Sequence, residues 1–534
     1  MTATGRRLVL CVLTGLVLAV GLLHPLWRAE WAVMDDHSML TYIGPTGRLP
    51  WSAVPSVLAQ TEGAHPGVFS RYRPGLFGAQ VIEAALIGPN PRAWFAWRTV
   101  QFALVMAAIC WVAGAFVPSL LAVLLTLYTS TQAYWSDSFV HLFVSECWSA
   151  TWFAVFLVAA ERFWRRHRVD GQVGTALSWL AVSGALAAST KENLLILLPF
   201  AWAALWWSAR RRRLPWHAWG AAALSAAMAA LIVVAVIVGL RREGGADLYG
   251  NTVTIGGRLA LFARPLPVAL AMMWAALLVA ARVSERVGAA QLAPQPLDAW
   301  RALWRTVLGV AAASTLVAVS QFVFYNGAWP TGGSRFDFPG RLIEIVAYVM
   351  AWVFAMRAAD IWRATPAVRR TFEVAYTLVL CLLILRHPAP LLRMARGQAA
   401  LTHAVGDARR AIAAEVAATP DRPIVLLAAS PVDVEPAISL ARQVRVVEHL
   451  VNPLYVDARS VAPDPARPID ARWTEQLQAL SVRGGGGSPG RLADPVSPWT
   501  SFAERRARGG PAPLCVALHE YNPVERVVCP AEWP

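Results

Sequence analysis

Lysine is almost missing from this chain. Of 48 basic residues in 534, one is a lysine, Lys191, and the rest are arginine. Charge of any sign is scarce too: Asp, Glu, Lys and Arg make up 15%, against ~25% in an ordinary soluble domain. Six cysteines are too few for a disulfide scaffold in a chain this long. No phosphate-cradling P-loop, zinc-ligand spacing or dinucleotide glycine fingerprint is present, so a cytosolic ATP or nucleotide-sugar site is unsupported. Energy for a reaction would have to arrive in an activated substrate.

Apolar residues are plentiful. They form 57% of the chain, and the mean hydropathy is +0.46. These values exclude a disordered chain and an ordinary soluble enzyme. The net charge of +15 would suit nucleic acid only if it were gathered on one surface. Apolar runs near the ~20 residues that cross a bilayer recur through the first three quarters. The first is Leu8 to Trp27, behind Arg6 and Arg7. No small-x-small cleavage site follows it, so an uncleaved helix is expected rather than a signal peptide. Further runs lie near 93–116, 118–135, 139–160, 175–190, 193–209, 216–240, 261–281, 303–324, 342–357 and 371–387. The expected fold is therefore a polytopic α-helical membrane protein of about eleven transmembrane helices. A weaker run at 74–88 reads as an amphipathic helix lying at the interface.

Arginine sets the orientation. Connections 161–174, 208–217, 282–305 and 357–370 are rich in it, including the run Arg210 to Arg213. Every second connection is basic, which places the N-terminus in the cytoplasm. With an odd number of spans the tail is outside. These inner segments hold nearly the whole positive excess, so none of it is needed for nucleic acid. The expected domains are a membrane domain, 1–390, with a long first outer loop at 28–92, and a small extracytoplasmic α/β domain, 391–534. In the tail Leu401 to Ala418 reads as a helix, and Ile424 to Ala429, Val444 to Val447 and Leu514 to Leu518 read as strands. A glycine-rich insertion lies near 482–495. Cys515 and Cys529 would sit in an oxidising compartment and suit a disulfide. Cys11, Cys110, Cys147 and Cys381 fall in expected spans, as packing residues.

Chemistry-bearing residues cluster in the outer segments. Asp35 and Asp36, followed by His37, open the first outer loop. Such carboxylates can act as a base or bind a metal, or can cap a helix. Arg71 and Arg73 flank Tyr72 before Pro74. They suit a phosphate or an interfacial anchor. Asp137, His141 and Glu146 follow the third span, with Glu146 inside the end of an apolar run, where an ionisable group is costly. The connection Ser189-Thr190-Lys191-Glu192-Asn193 carries the lone lysine. A compact ammonium suits a phosphate, or Lys191 and Glu192 merely close a helical hairpin. Arg335 and Asp337 lie in the glycine-containing loop 331–340, which can approach a sugar phosphate closely or form a turn with an internal ion pair.

The ordered set resembles the GT-C superfamily of integral membrane glycosyltransferases, which includes protein mannosyltransferases and lipid A aminoarabinose transferases. The resemblance runs over residues 1–390. It rests on the acidic pair Asp35 and Asp36, the Arg71-Tyr-Arg-Pro74 segment, Gly88-Pro-Asn-Pro91, Glu146, Thr190-Lys191-Glu192 and the Arg335 to Pro339 loop. The tail, 391–534, matches no pattern. The resemblance implies inverting transfer of a sugar from a polyprenyl-phosphate donor to a glycan, lipid or protein acceptor, on the periplasmic face of a bacterial inner membrane. It implies Asp35 as base, with Asp36 as the alternative and Glu146 beside them. Lys191, Arg71, Arg73 and Arg335 would contact the donor phosphate. His37, Tyr72, Asp137, His141, Glu192 and Asp337 would orient substrate. A divalent metal near Asp35 and Asp36 is left open, and no other cofactor is expected. An undecaprenyl-pyrophosphate glycan polymerase or ligase is the first alternative, although such enzymes place their large loop late in the chain. A lipid or glycan transporter is the second, although it would carry polar residues at mid-membrane.

Overall fold

The computed structural model describes residues 3–33, 36–44, 47–69, 71–168, 172–242, 294–324, 338, 342–361, 365–386, 389–463, 468–485, 495–518 and 525–530. The membrane part begins with α1 (Ala3–Leu23). At about 1.5 Å per residue it spans roughly the 30 Å of a bilayer core. The first loop holds three short helices, α2 (His37–Ile43), α3 (Val54–Ala59) and the longer α4 (Pro74–Ile87). Next come α5 (Pro91–Ala113), α6 (Ser119–Ser130), α7 (Tyr134–Phe139) and α8 (Ser145–Arg168). They are followed by α9 (Gly174–Thr190), α10 (Leu197–Ala209) and α11 (Trp216–Arg242). Three further long helices are α12 (Pro294–Phe324), α13 (Ile343–Ile361) and α14 (Pro366–Arg386).

Helices thus occupy the expected spans, apart from 261–281, which lies outside the described residues. Among the described residues four stretches are long and apolar enough to cross a membrane by length and composition: Thr4–Arg28, Pro91–Ala113, Trp216–Arg242 and Pro366–Val416. The other segments stand as helices rather than as established crossings. The stripe Val374, Leu378, Leu382 and Leu385 on α14 is exposed. Its spacing of three and four residues marks one helix face. An apolar face this long is at home in lipid and not in water. The run at 74–88 forms a helix that buries polar groups as well: Gln80 and Glu83 of α4 lie inside with Phe77 and Val81.

After α14 the chain changes character. Helix α15 (Pro390–Val416) leads to β1 (Ile424–Leu427), α16 (Val434–Val446), β2 (Leu454–Asp457), α17 (Pro468–Arg483), α18 (Trp499–Ala507), β3 (Leu514–Ala517) and β4 (Glu525–Val527). The sheet order is β2-β1-β3-β4. Strand β1 is parallel to β2 and β3, with Val425 opposite Tyr455 and Cys515, while β4 runs antiparallel to β3. The inner strands read as continuous apolar runs because parallel strands are covered on both faces. A disulfide joins Cys515 and Cys529. Cys11, Cys110, Cys147 and Cys381 are free.

One expectation for the tail fails. Val444 to Val447 is not a strand; its first three residues close α16. Val434, Ala437, Leu440, Ala441 and Val444 are all buried, at the three- and four-residue spacing of a helix face. A cluster of β-branched residues in the last turn had imitated a strand.

The tail grips the start of the first loop. Arg409 Nη2 and Arg410 Nη1 of α15 lie 3.1 Å and 2.8 Å from the Glu30 carboxylate. The Glu30 N–H donates to Thr402 Oγ1. The Ala32 carbonyl accepts from Ser439 Oγ and Gln443 Nε2 of α16, at 3.1 Å and 2.8 Å. Residues 30–32 are therefore fixed just ahead of the acidic pair.

Candidate functional site

Three segments distant in sequence meet at one end of the helical bundle. Pro74 starts α4 in the first turn, where its missing N–H costs nothing, and Arg73 precedes it in a non-helical conformation. Helix α4 crosses α9 at Gly75. A Cβ there would fall 2.1 Å from Ser189 Oγ, so only glycine permits this approach. The crossing sets Arg73 beside the end of α9. Helix α9 stops at Thr190, and Lys191 leaves it with extended backbone (φ −153°, ψ 114°) before a 3₁₀ turn, Glu192–Ile196. Helix α8 starts at Ser145 at the same level, with Glu146 in its first turn.

The side chains form one connected run. Glu192 Oε2 accepts from Arg73 Nε at 2.6 Å. Arg73 Nη1 donates to Ser145 Oγ at 3.5 Å. Ser145 Oγ donates to Glu146 Oε2 at 3.2 Å. Lys191 Nζ donates to Glu146 Oε1 at 2.7 Å, with those two side chains 1% and 5% exposed. Ser149 and Thr190 share a hydroxyl hydrogen bond at 3.0 Å, tying α8 to α9. The helix dipoles favour this placement: a carboxylate at the start of α8 and a cation at the end of α9.

A second buried network braces the first. Arg98 of α5 forms a two-pronged pair with Glu83 of α4, at 2.6 Å and 2.9 Å. Such a fork fixes geometry as well as charge. Glu83 Oε1 also accepts from the indoles of Trp97 and Trp148. Arg98 Nη2 donates to the Leu142 carbonyl at 3.1 Å. The N–H of Leu142 donates to Asp36 Oδ1 at 2.9 Å, while Asp36 Oδ2 accepts from the Ala32 N–H at 3.2 Å. Leu142 is therefore held on both sides, three residues ahead of α8.

Among the expected site residues, Arg73, Glu146, Lys191 and Glu192 come together. Asp36 is fully buried and braces the backbone at residues 32 and 142. Its two oxygens already accept backbone N–H groups, and among the described residues no group of three or more His, Cys, Asp or Glu could hold a metal ion. The described residues therefore supply no ligand set for a divalent ion beside it. Arg71 does not join the connected run through any of these contacts; its Nε lies 3.4 Å from Glu62. The buried Tyr72 hydroxyl donates to the Gly63 carbonyl at 3.1 Å, and burial pushes its pKa up. His141 is half-buried beside Leu142. His37 opens α2 and Asp137 lies in α7, but their side chains are outside the described set. Asp35, Arg335 and Asp337 also lie outside the described residues. Phe338, just after Asp337, is fully buried and packs on Trp135 of α7 at 5.6 Å and Phe153 of α8 at 6.1 Å.

Sequence reasoning missed Ser145, Ser149, Glu83 and Arg98. The last two carried a usable signal, since each is an ionisable residue inside an apolar run. The hydroxyls carried none, because serine and threonine are common at helix ends.

No protein-family model and no curated protein matches the sequence. Two crystal structures of ArnT from Cupriavidus metallidurans resemble the chain in structure, one bound to undecaprenyl phosphate and one in the apo state. Their TM-scores are 0.48 and 0.46, both at 14% identity, over 97% of this chain and 93% of theirs.

Proposed function

We propose that this protein is a GT-C-type glycosyltransferase of a bacterial inner membrane, moving a sugar from a polyprenyl-phosphate carrier to an acceptor on the periplasmic face. The observation that carries this reading is the run Glu192–Arg73–Ser145–Glu146–Lys191, assembled from three segments at one end of the bundle. Two cations, each matched to a carboxylate, form a place where a phosphate can be received with no bare charge left behind when it departs.

The chemistry needs such a place. A polyprenyl-phosphate sugar is a phosphodiester with one negative charge. As the bond from the sugar's anomeric carbon to the phosphate oxygen breaks, the electron pair leaves with the phosphate and a second negative charge develops. Cations held ready for that charge stabilise the transition state more than the ground state. Lys191 and Arg73 take this role, with Glu146 and Glu192 holding them in place between turnovers. The acceptor hydroxyl attacks the anomeric carbon from the opposite side, inverting it, and its proton passes to a general base. Asp35 is the base in this reading, and Asp36 is the brace that aims it. Arg71, Arg335 and Asp337 complete the surroundings of the donor. The N-terminus is cytoplasmic and the C-terminal α/β domain is periplasmic.

The test uses purified protein in nanodiscs with synthetic polyprenyl-phosphate sugars and lipid-linked glycan acceptors. Free polyprenyl phosphate is followed by mass spectrometry. Acceptor-dependent release by wild type that is lost in Asp35→Asn supports the reading. Absence of release from every donor, together with donor binding unchanged in Lys191→Met, overturns it.

A further inference from the structure

A sizeable concavity lies away from the connected run. It lies at the opposite end of α9, about 25 Å from Lys191 at 1.5 Å per helical residue. This cleft has a volume of about 1030 Å³, with a lining that includes Arg211, Arg212, Arg213, His167, His217 and Trp207. We propose that it is a second binding site, for a phosphate-bearing group, at the arginine-rich end of the bundle.

The cleft's shape and lining carry the argument. Arginines that only orient a membrane protein need no concavity and no fixed partner surface. Here the guanidinium of Arg211 lies over the Trp207 ring, 5.0 Å from its centroid. The His167 ring packs on Trp207 as well, at 4.1 Å and 32°. The indole thus presents a cation and an imidazole toward one space. Among the described lining residues there are three arginines, two histidines and no carboxylate. Planar guanidinium groups match phosphate oxygens two at a time. The volume is at the upper end of small-molecule sites and exceeds what a lone inorganic ion fills.

The backbone adds to the same field. Gly174, the first residue of α9, sits so close to Pro215 that a Cβ would fall 2.3 Å from the proline ring. The starts of α9 and α11 are thereby brought together at the cleft, both long helices with their positive ends directed there. Arg166 Nη1 donates to the carbonyl of Gln172, a lining residue, at 3.2 Å. The ligand chemistry is a phosphate monoester or diester. It reaches the cleft as an anionic lipid headgroup or as a soluble phosphate compound.

The test has two arms on the full-length protein. In the first, nanodiscs of phosphatidylcholine alone are titrated with inorganic pyrophosphate, and binding is followed by calorimetry. In the second, native mass spectrometry counts cardiolipin retained from mixed phosphatidylcholine–cardiolipin nanodiscs. Saturable binding in either arm is expected for wild type, and the arm that shows it identifies the source. Arg211→Gln with Arg213→Gln should weaken it at least about tenfold, while Arg211→Lys with Arg213→Lys should lose less. Lys191→Met should leave it unchanged, which separates this cleft from the proposed donor site. No saturable binding in both arms overturns the proposal, as does binding that falls with Lys191→Met but not with the Arg211 and Arg213 changes. Thermal midpoints in phosphatidylcholine should be alike for all variants of the two arginines, since both are exposed.

Discussion

Lys191 Nζ stands 2.7 Å from Glu146 Oε1, in a place where both side chains are all but sealed from solvent. Removing one partner of such a pair strands the other charge and costs roughly 3–5 kcal/mol, whereas replacing both with apolar groups of similar volume is often nearly neutral. Lys191→Met and Glu146→Met should each lower the thermal midpoint clearly. The double variant should recover most of that loss while still failing to bind a polyprenyl-phosphate sugar. Recovery of donor binding in the double variant would remove Lys191 from the phosphate role.

Arg73 uses two nitrogens of one guanidinium, Nε on Glu192 and Nη1 on Ser145. A lysine keeps the charge but cannot form both contacts at once. Arg73→Lys should therefore raise the KM for donor about tenfold, the equivalent of ~1.4 kcal/mol, with a smaller change in kcat. Glu192→Gln should have the lesser effect, because the amide oxygen still accepts from Arg73. Steady-state kinetics with varied donor separates the two, and an unchanged KM in Arg73→Lys would show that holding Arg73 on both Glu192 and Ser145 does not matter for donor binding.

The adjacent carboxylates should differ in what they cost. Asp36 binds the Ala32 and Leu142 N–H groups in the interior. Asp36→Ala leaves both donors unpaired, at about 1–3 kcal/mol each, so it should lower stability and activity together. Asp35→Asn should leave the thermal midpoint near wild type and abolish turnover. Equal loss of midpoint in both variants would contradict this division of roles.

Gly75→Ala tests the crossing of α4 on α9. The new methyl group would meet Ser189 Oγ at 2.1 Å, and overpacking of this kind costs typically 1–3 kcal/mol. Arg73, two residues away, should move with it, so donor affinity should fall as well. Gly21→Ala in α1 is the control. Nothing lies within 4 Å of that position, and alanine is the better helix former by about 1 kcal/mol. Wild-type behaviour of Gly75→Ala would mean that α4 and α9 are not in close contact.

Much of this arrangement was legible from residue patterns. The apolar runs gave nearly every long helix, since length and hydropathy are local properties. The isolated lysine and the embedded Glu146 each stood out, one as the only lysine and the other as an ionisable group inside an apolar run. Their direct pairing was not legible, nor was the pairing of Arg73 with Glu192, 119 residues further along. Both depend on how α4, α8 and α9 dock, and that is decided partly by Gly75, a residue with no side chain to notice. Arg71 looked equivalent to Arg73 because alternate residues share a face only in an extended strand. In the fold Arg71 pairs with Glu62 of its own loop, while Arg73 pairs with Glu192 beyond α9. Val444 to Val447 misled because a short β-branched run has no period of its own.

The clasp on residues 30–32 also bears on the order of assembly. Glu30 leaves the ribosome early, yet its partners Arg409 and Arg410 are made almost four hundred residues later. The Ala32 backbone, whose N–H binds Asp36, therefore lacks its partners on α16 while the earlier membrane helices are being inserted. The finished tail, arriving last, closes this clasp on residues 30–32.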